Sequence, residues 1–280
     1  MLLGLLQNDA SLLACRLAQL RDLVDLDTAT TPDAVGAGYV ENGQALVRRR
    51  PGSALSVSGD LLDLVSDVKA SGLLLHVRRA TVGGFKDENT HPFRYRNWLF
   101  AHTGTVARFG DLRPSLLEEL PPFLQRMIVG ETDSEHIFAL FLNELRCAGA
   151  LETLCPDPET LGKCLAQTVD KIEALAREVG ATAESTLNIV ATNGCGLIAC
   201  RHGDGPGLHY AELGGLSVCE QHGLGEDAPE THAQLVSHKN VRSVVVTSRL
   251  HPGVGLPWKP LPRGQILSVG PDLTANVRAY

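Results

Sequence analysis

Residues 35–49 read VGAGYVENGQALVRR, and residues 187–201 read LNIVATNGCGLIACR. Each places two apolar runs on either side of an Asn-Gly pair, Asn42-Gly43 and Asn193-Gly194. Asn-Gly supplies the positive φ angles of a tight type I′ turn, so both stretches predict β-hairpins. Their strands fall at 35–40 with 44–49, and at 187–192 with 196–201. Further runs bounded by turn residues predict strands over 73–79, 97–102, 208–213, 241–248 and 265–269. Helical spacing of apolar residues marks 10–23, about 61–69, 114–128, 133–146 and 158–179. The helix at 133 opens on Thr132-Asp133-Ser134-Glu135, a capping box before an apolar stripe at Ile137, Phe138, Phe141, Leu142 and Leu145. Strands in hairpin groups, separated by groups of helices, predict an α+β fold with mainly antiparallel sheets rather than βαβ winding. No repeat or low-complexity tract interrupts the chain, and the longest linker-like stretch is a polar loop around 222–234. One domain over 1–280 is the expectation.

Composition narrows the function classes. The chain has 280 residues, 44% hydrophobic and 20% charged, which describes a folded globular protein able to bury about three quarters of its surface. Acidic residues outnumber basic ones by 32 to 25, and no basic run exceeds Arg48-Arg49-Arg50. That balance lacks the footprint of a nucleic-acid binder. The first fifteen residues, MLLGLLQNDASLLAC, have no basic flank, meet Asp9 early and are too short to span a bilayer. The expectation is a cytoplasmic protein without a membrane anchor. Seven cysteines (15, 147, 155, 164, 195, 200 and 219) form no C-x-x-C pair, and Cys195 and Cys200 are expected on neighbouring strands. Reduced, packed thiols are the reading. Ten scattered histidines show no metal-ligand triplet, so neither a metal nor a cofactor is expected.

Three stretches could carry chemistry. Leu73-Leu74-Leu75-His76-Val77 is an apolar strand that turns basic at Arg78-Arg79, followed by Ala80-Thr81-Val82-Gly83. An arginine there is either a solvated strand end or a bidentate anchor for a carboxylate. After the polar loop Asn89-Thr90-His91-Pro92-Phe93, the strand Trp98-Leu99-Phe100-Ala101 ends in His102-Thr103-Gly104. Backbone N–H groups at such a glycine can form an oxyanion pocket or an ordinary turn. In the third stretch Thr132 and Glu135 cap a helix, and Asp133 suits the positive end of its dipole.

Taken in order, these motifs resemble the class II glutamine amidotransferases, a branch of the N-terminal nucleophile (Ntn) hydrolases. The stand-alone γ-glutamyl amidase branch is the nearer likeness. The matching stretches are Leu2-Leu3-Gly4-Leu5, His76-Val77-Arg78 with Ala80-Thr81-Val82-Gly83, Asn89 to Phe93, Trp98 to Gly104, and Thr132 to Glu135. The Leu187-Asn188 hairpin and Val245-Val246-Thr247-Ser248 are similar to the family's second half. The resemblance implies a four-layer αββα sandwich. It also implies that Arg78 binds the α-carboxylate of glutamine, Asp133 holds the α-amino group, Gly104 supplies an oxyanion-hole N–H, and Thr81 lines the ligand. The implied partner is a small molecule with an amino-acid or γ-glutamyl end, with a protein partner as a second possibility.

Other features depart from the family pattern. Its nucleophile is a cysteine at the mature N-terminus, whereas this chain begins Met1-Leu2-Leu3-Gly4 and its nearest cysteine, Cys15, is expected a helix away. The family's His-Asn-Gly reads His102-Thr103-Gly104 here, and its Pro-Asp-Gly-Trp-Gly reads Pro32-Asp33-Ala34-Val35-Gly36. Losing one oxyanion donor costs on the order of 10²–10³ in rate. The expectation is a catalytically impaired protein that keeps an amino-acid or γ-glutamyl pocket. The alternatives are an active glutaminase or γ-glutamyl amide hydrolase whose native N-terminus differs, and a scaffold or partner subunit with a vestigial pocket. His76, His91 and His102 are expected to gather near the pocket in supporting roles.

Overall fold

The computed structural model describes residues 1–21, 34–51, 59–78, 87–216, 218–225, 233–250 and 255–280. The strands are β1 (Leu2–Gln7), β2 (Ala34–Glu41), β3 (Gln44–Pro51), β4 (Gly72–Arg78), β5 (Phe93–Tyr95) and β6 (Trp98–Thr105). They continue with β7 (Thr186–Thr192), β8 (Leu197–His202), β9 (Leu208–Leu213), β10 (Ser243–Thr247), β11 (Lys259–Leu261), β12 (Gln265–Val269) and β13 (Ala275–Ala279). The α-helices are α1 (Leu13–Gln19), α2 (Gly59–Asp63), α3 (Phe109–Glu118), α4 (Pro122–Gln125), α5 (Asp133–Cys147), α6 (Pro158–Glu178) and α7 (Ala233–Asn240).

Two antiparallel sheets result. One runs β11-β9-β10-β1-β4-β2-β3, and the other β13-β12-β8-β7-β6-β5. Strand periodicity builds the layers, because alternate residues face opposite sides. In β1, Leu2 and Leu6 join Leu74, Leu99, Val190 and Val246 between the sheets. Leu3 and Leu5 point the other way, onto Leu13 and Leu17 of α1 and Leu61 of α2. On the second sheet, Trp98, Phe100, Ile189 and Ile198 pack beneath α3, α5 and α6. There Trp98 meets Phe141 edge-on and Phe100 stacks on Phe138. The order is helix, sheet, sheet, helix, the expected four-layer sandwich.

The first hairpin forms on Asn42-Gly43, with φ of 51° and 77°. The second differs from expectation. Its turn spans four residues, and only Gly194 of the Asn-Gly pair has positive φ. Asn193 instead uses its side-chain Oδ1 to accept the N–H groups of Cys195 and Gly196, an Asx turn rather than type I′. Cys195 therefore sits in a turn rather than on a strand, and it forms a disulfide with Cys155. That corrects the all-thiol reading; the five remaining cysteines are free. The helix expected over 114–128 begins at Phe109 and is split in two, because Pro121-Pro122 cannot continue α3. The helix expected at 61–69 is only α2 followed by turns. No helix among the described residues is long and apolar enough to cross a membrane.

Candidate functional site

Four strands converge at one end of the sandwich. β1 lies between β10 and β4, in a register that sets Leu2 opposite His76 and Leu3 opposite Thr247. The Met1 amine donates to the Val77 carbonyl at 3.1 Å, and the Leu2 N–H donates to Ser248 Oγ at 2.9 Å. Across the gap, alternation on β6 sends Leu99 and Ala101 between the sheets, and Thr103 shares their side. Its hydroxyl lies 3.3 Å from His76 Nε2. His76 in turn rests 4.3 Å, ring to ring, from His91, which meets Phe93 edge-on. Gly36 packs against this loop: a Cβ there would lie 2.0 Å from the His91 carbonyl oxygen. The loop can approach β2 only over a glycine.

His102 points to the other face of β6. Its Nδ1 lies 2.9 Å from Ser134 Oγ, and its Nε2 lies 3.4 Å from the Thr186 carbonyl. Of the three histidines expected together, His76 and His91 meet, and His102 serves the helix layer. Burial holds its pKa below the ordinary imidazole range, against the upward pulls of Asp133 and the Thr186 carbonyl. Asp133 is half-buried at the start of α5. Its Oδ2 accepts the Val106 N–H at 2.9 Å and its Oδ1 accepts the Ser134 N–H at 2.8 Å. The carboxylate thereby ties the exit of β6 to the helix. Thr132 Oγ1 accepts the Glu135 N–H, but Glu135 reaches past the cap residue to the N–H groups of Val129 and Gly130. Arg78 ends β4 opposite Ala34, two residues beyond His76. The side chain of Arg78 lies outside the described residues, as do Thr81, Pro32 and Asp33. Gly104 follows Thr103 with a φ of 151°. Ser248 had no role in the sequence reading. The register of β1 with β10 brings it here; in the sequence it stands out only as the end of the family-like stretch Val245-Val246-Thr247-Ser248.

Two buried histidines give this region a pH signature. His136 accepts from Arg113 Nε at Nε2 and donates from Nδ1 to the Thr132 carbonyl, and burial lowers its pKa as well. An unfolded histidine takes its proton near about 6.5, while these folded ones do so only at lower pH. Their contribution is complete above that value and is lost as pH falls through the folded pKa. We expect the melting temperature to drop between about pH 7.5 and about pH 5, and His102→Gln or His136→Gln to flatten the slope. Glu135, whose pKa burial raises, acts with the opposite sign, so the single variants isolate the histidines. An unchanged slope in both variants would remove them as the cause.

No metal-ligand group lies among the described residues at this end. The cluster of that kind is elsewhere, on the outer helix layer beside the seven-stranded sheet: Cys15, Cys219, His222 and His238. Only the Cys219-x-x-His222 spacing of this cluster is visible in the sequence, where no metal-ligand group was expected.

A four-layer sandwich whose central first strand starts at the site is the Ntn-hydrolase architecture. A glutamine aminotransferase class-II domain protein from Silicibacter pomeroyi matches all of this chain and 98% of its own, with a TM-score of 0.61 at 20% identity. Glutamine phosphoribosylpyrophosphate amidotransferase from B. subtilis matches 99% of this chain with 48% of its own, with a TM-score of 0.58 at 15% identity. The family model for class-II glutamine amidotransferases matches residues 1–271, and the chain belongs to that family. Among curated relatives, a probable glutamine amidotransferase of Saccharomyces cerevisiae, DUG3, is 30% identical over 156 residues. The match takes in 51% of this chain and 42% of that relative's length.

Proposed function

We propose that this chain binds the amino-acid end of a glutamine-like or γ-glutamyl ligand and is impaired in hydrolysing it. What supports the reading is Thr103. Where the family resemblance expects an asparagine amide to donate to the developing oxyanion, a shorter hydroxyl stands here, within hydrogen-bond distance of His76 Nε2. A short side chain held by a neighbouring imidazole is a poor donor to a substrate oxygen further out. Arg78, at the end of β4, remains the residue to anchor an α-carboxylate through its planar fork.

Isothermal titration with glutamine, glutamate and a γ-glutamyl dipeptide is expected to show binding that Arg78→Ala abolishes. Ammonia release from glutamine is expected to stay at background. Turnover by the native protein at about 1 s⁻¹ or faster, an ordinary enzymatic rate, would overturn the impairment. Absence of binding at millimolar ligand would overturn the pocket.

A further inference from the structure

The outer helix layer holds four donors that the amidotransferase reading does not use. Cys15 comes from α1, Cys219 and His222 from a tight turn, and His238 from α7; their ligand atoms all lie within 4.8 Å of one another. Cys15, Cys219 and His238 are buried, and His222 is exposed. His222 Nδ1 lies 3.1 Å from Cys15 Sγ and 3.5 Å from Cys219 Sγ. A tetrahedral zinc ion with bonds of about 2.3 Å to sulfur and about 2.05 Å to nitrogen sets its S and N donors about 3.6 Å apart. Both His222 contacts lie within about 0.5 Å of that separation, and the 4.8 Å bound keeps all four atoms within reach of one ion.

The second shell has the matching form. His238 Nδ1 donates to the Gln234 carbonyl at 2.6 Å. That bond fixes the tautomer and leaves Nε2 with its lone pair, and Nε2 is buried without a hydrogen-bond partner among the described residues. A ligating histidine has its other ring nitrogen tied in this way. The turn is closed by paired backbone bonds between Cys219 and Leu224 in both directions, which hold Cys219 and His222 on one side. A divalent cation is the charge that lets two sulfurs sit together as thiolates, each losing its proton on binding.

The packing around the cluster supplies a reason for a metal. Leu12, Cys15, Leu216, Cys219, Leu224, Leu235 and Val241 form a small hydrophobic cluster separate from the three main ones. So few apolar groups give little to fasten the segment before β10 onto α1, and a four-ligand ion would add that fastening.

We propose that Cys15, Cys219, His222 and His238 form a structural zinc site. All four positions are protein ligands, so the ion has no open position for substrate. The donor set of two thiolates and two imidazoles selects zinc over magnesium or calcium.

The test uses the full chain, expressed with zinc supplied and purified under reducing conditions without chelator. Metal analysis is expected to find about one zinc per chain, and replacement by cobalt to give the visible bands of a tetrahedral site with thiolate charge transfer. Cys219→Ser and His238→Ala are expected to lose the metal, and Cys147→Ser, at an exposed free cysteine, to keep it. If the first two variants precipitate, the cobalt spectrum and zinc content of the unaltered chain decide. A zinc-free protein that gives no tetrahedral cobalt spectrum would overturn the proposal. So would zinc retained by both ligand variants, or a Cys15–Cys219 disulfide in freshly purified protein.

Discussion

Gly104→Ala is expected to lower stability by about 4 kcal/mol or more, read as a shift in the denaturation midpoint at unchanged slope. Two independent costs combine. The backbone at Gly104 has a φ of 151°, a region that side chains rarely adopt and that costs on the order of 1–3 kcal/mol to impose. A Cβ there would also lie 1.7 Å from the Thr186 carbonyl oxygen and 2.9 Å from His102 Nε2. The first is backbone of the paired strand β7, so relief means moving β7 away from β6. At this chain length the melting temperature should fall by about 7 °C or more. A loss below about 1 kcal/mol would show that the strands can part there without penalty. The glycine is thus required by the packing of β6 on β7, whether or not its N–H ever meets an oxyanion. Its presence does not argue for retained catalysis.

Arg16→Ala is the second large effect, with an expected loss of about 3–5 kcal/mol. Arg16 is completely buried on α1. Its guanidinium donates to Ser243 Oγ at 3.0 Å, Gln19 Oε1 at 2.6 Å and the Gly214 carbonyl at 2.6 Å. Among the described residues no carboxylate pairs with it. Burial lowers its pKa to about 10, which still leaves it charged at neutral pH. Truncation would open a cavity beneath α1 and strip the charged donor from the buried Ser243 hydroxyl and from the Gly214 carbonyl. Arg16→Met separates the two costs, since it keeps most of the stem. It should recover the packing part while the hydrogen-bond part stays lost. A Met variant more stable than the parent would show instead that the buried charge is a net liability.

Much of the fold was legible because its signals are local. Asn42-Gly43 dictated its turn through backbone sterics alone, and β9 and β12 fell on the residues that alternation and turn chemistry marked. What escaped depends on tertiary partners. β1, Leu-Leu-Gly-Leu-Leu-Gln, is buried on both faces, so it shows no polar alternation to betray a strand. Asn193-Gly194 carries the same dipeptide as the first hairpin, yet the Asn193 side chain captured the turn's N–H groups and opened it to four residues. The candidate site divides the same way. Thr103 and Gly104 were readable as the end of an apolar strand, whereas the approach of Ser248 to Leu2 required the sheet register. Of the metal-type cluster, only the Cys219-x-x-His222 spacing is local; Cys15 and His238 come from helices near opposite ends of the chain.

The place of β1 in its sheet also bears on how the protein is made. This strand emerges long before one of its two neighbours, β10, with Leu3 paired to Thr247 and Leu6 to Val244. A ribosome adding about 5–20 residues each second leaves that edge unmet for roughly ten to fifty seconds. Throughout that interval four leucines and an open row of backbone N–H and C=O groups remain available to another nascent chain. The wide separation of these paired strands thus leaves Leu2–Leu6 exposed to misassembly, a segment for a chaperone to shield until Ser243–Thr247 arrives.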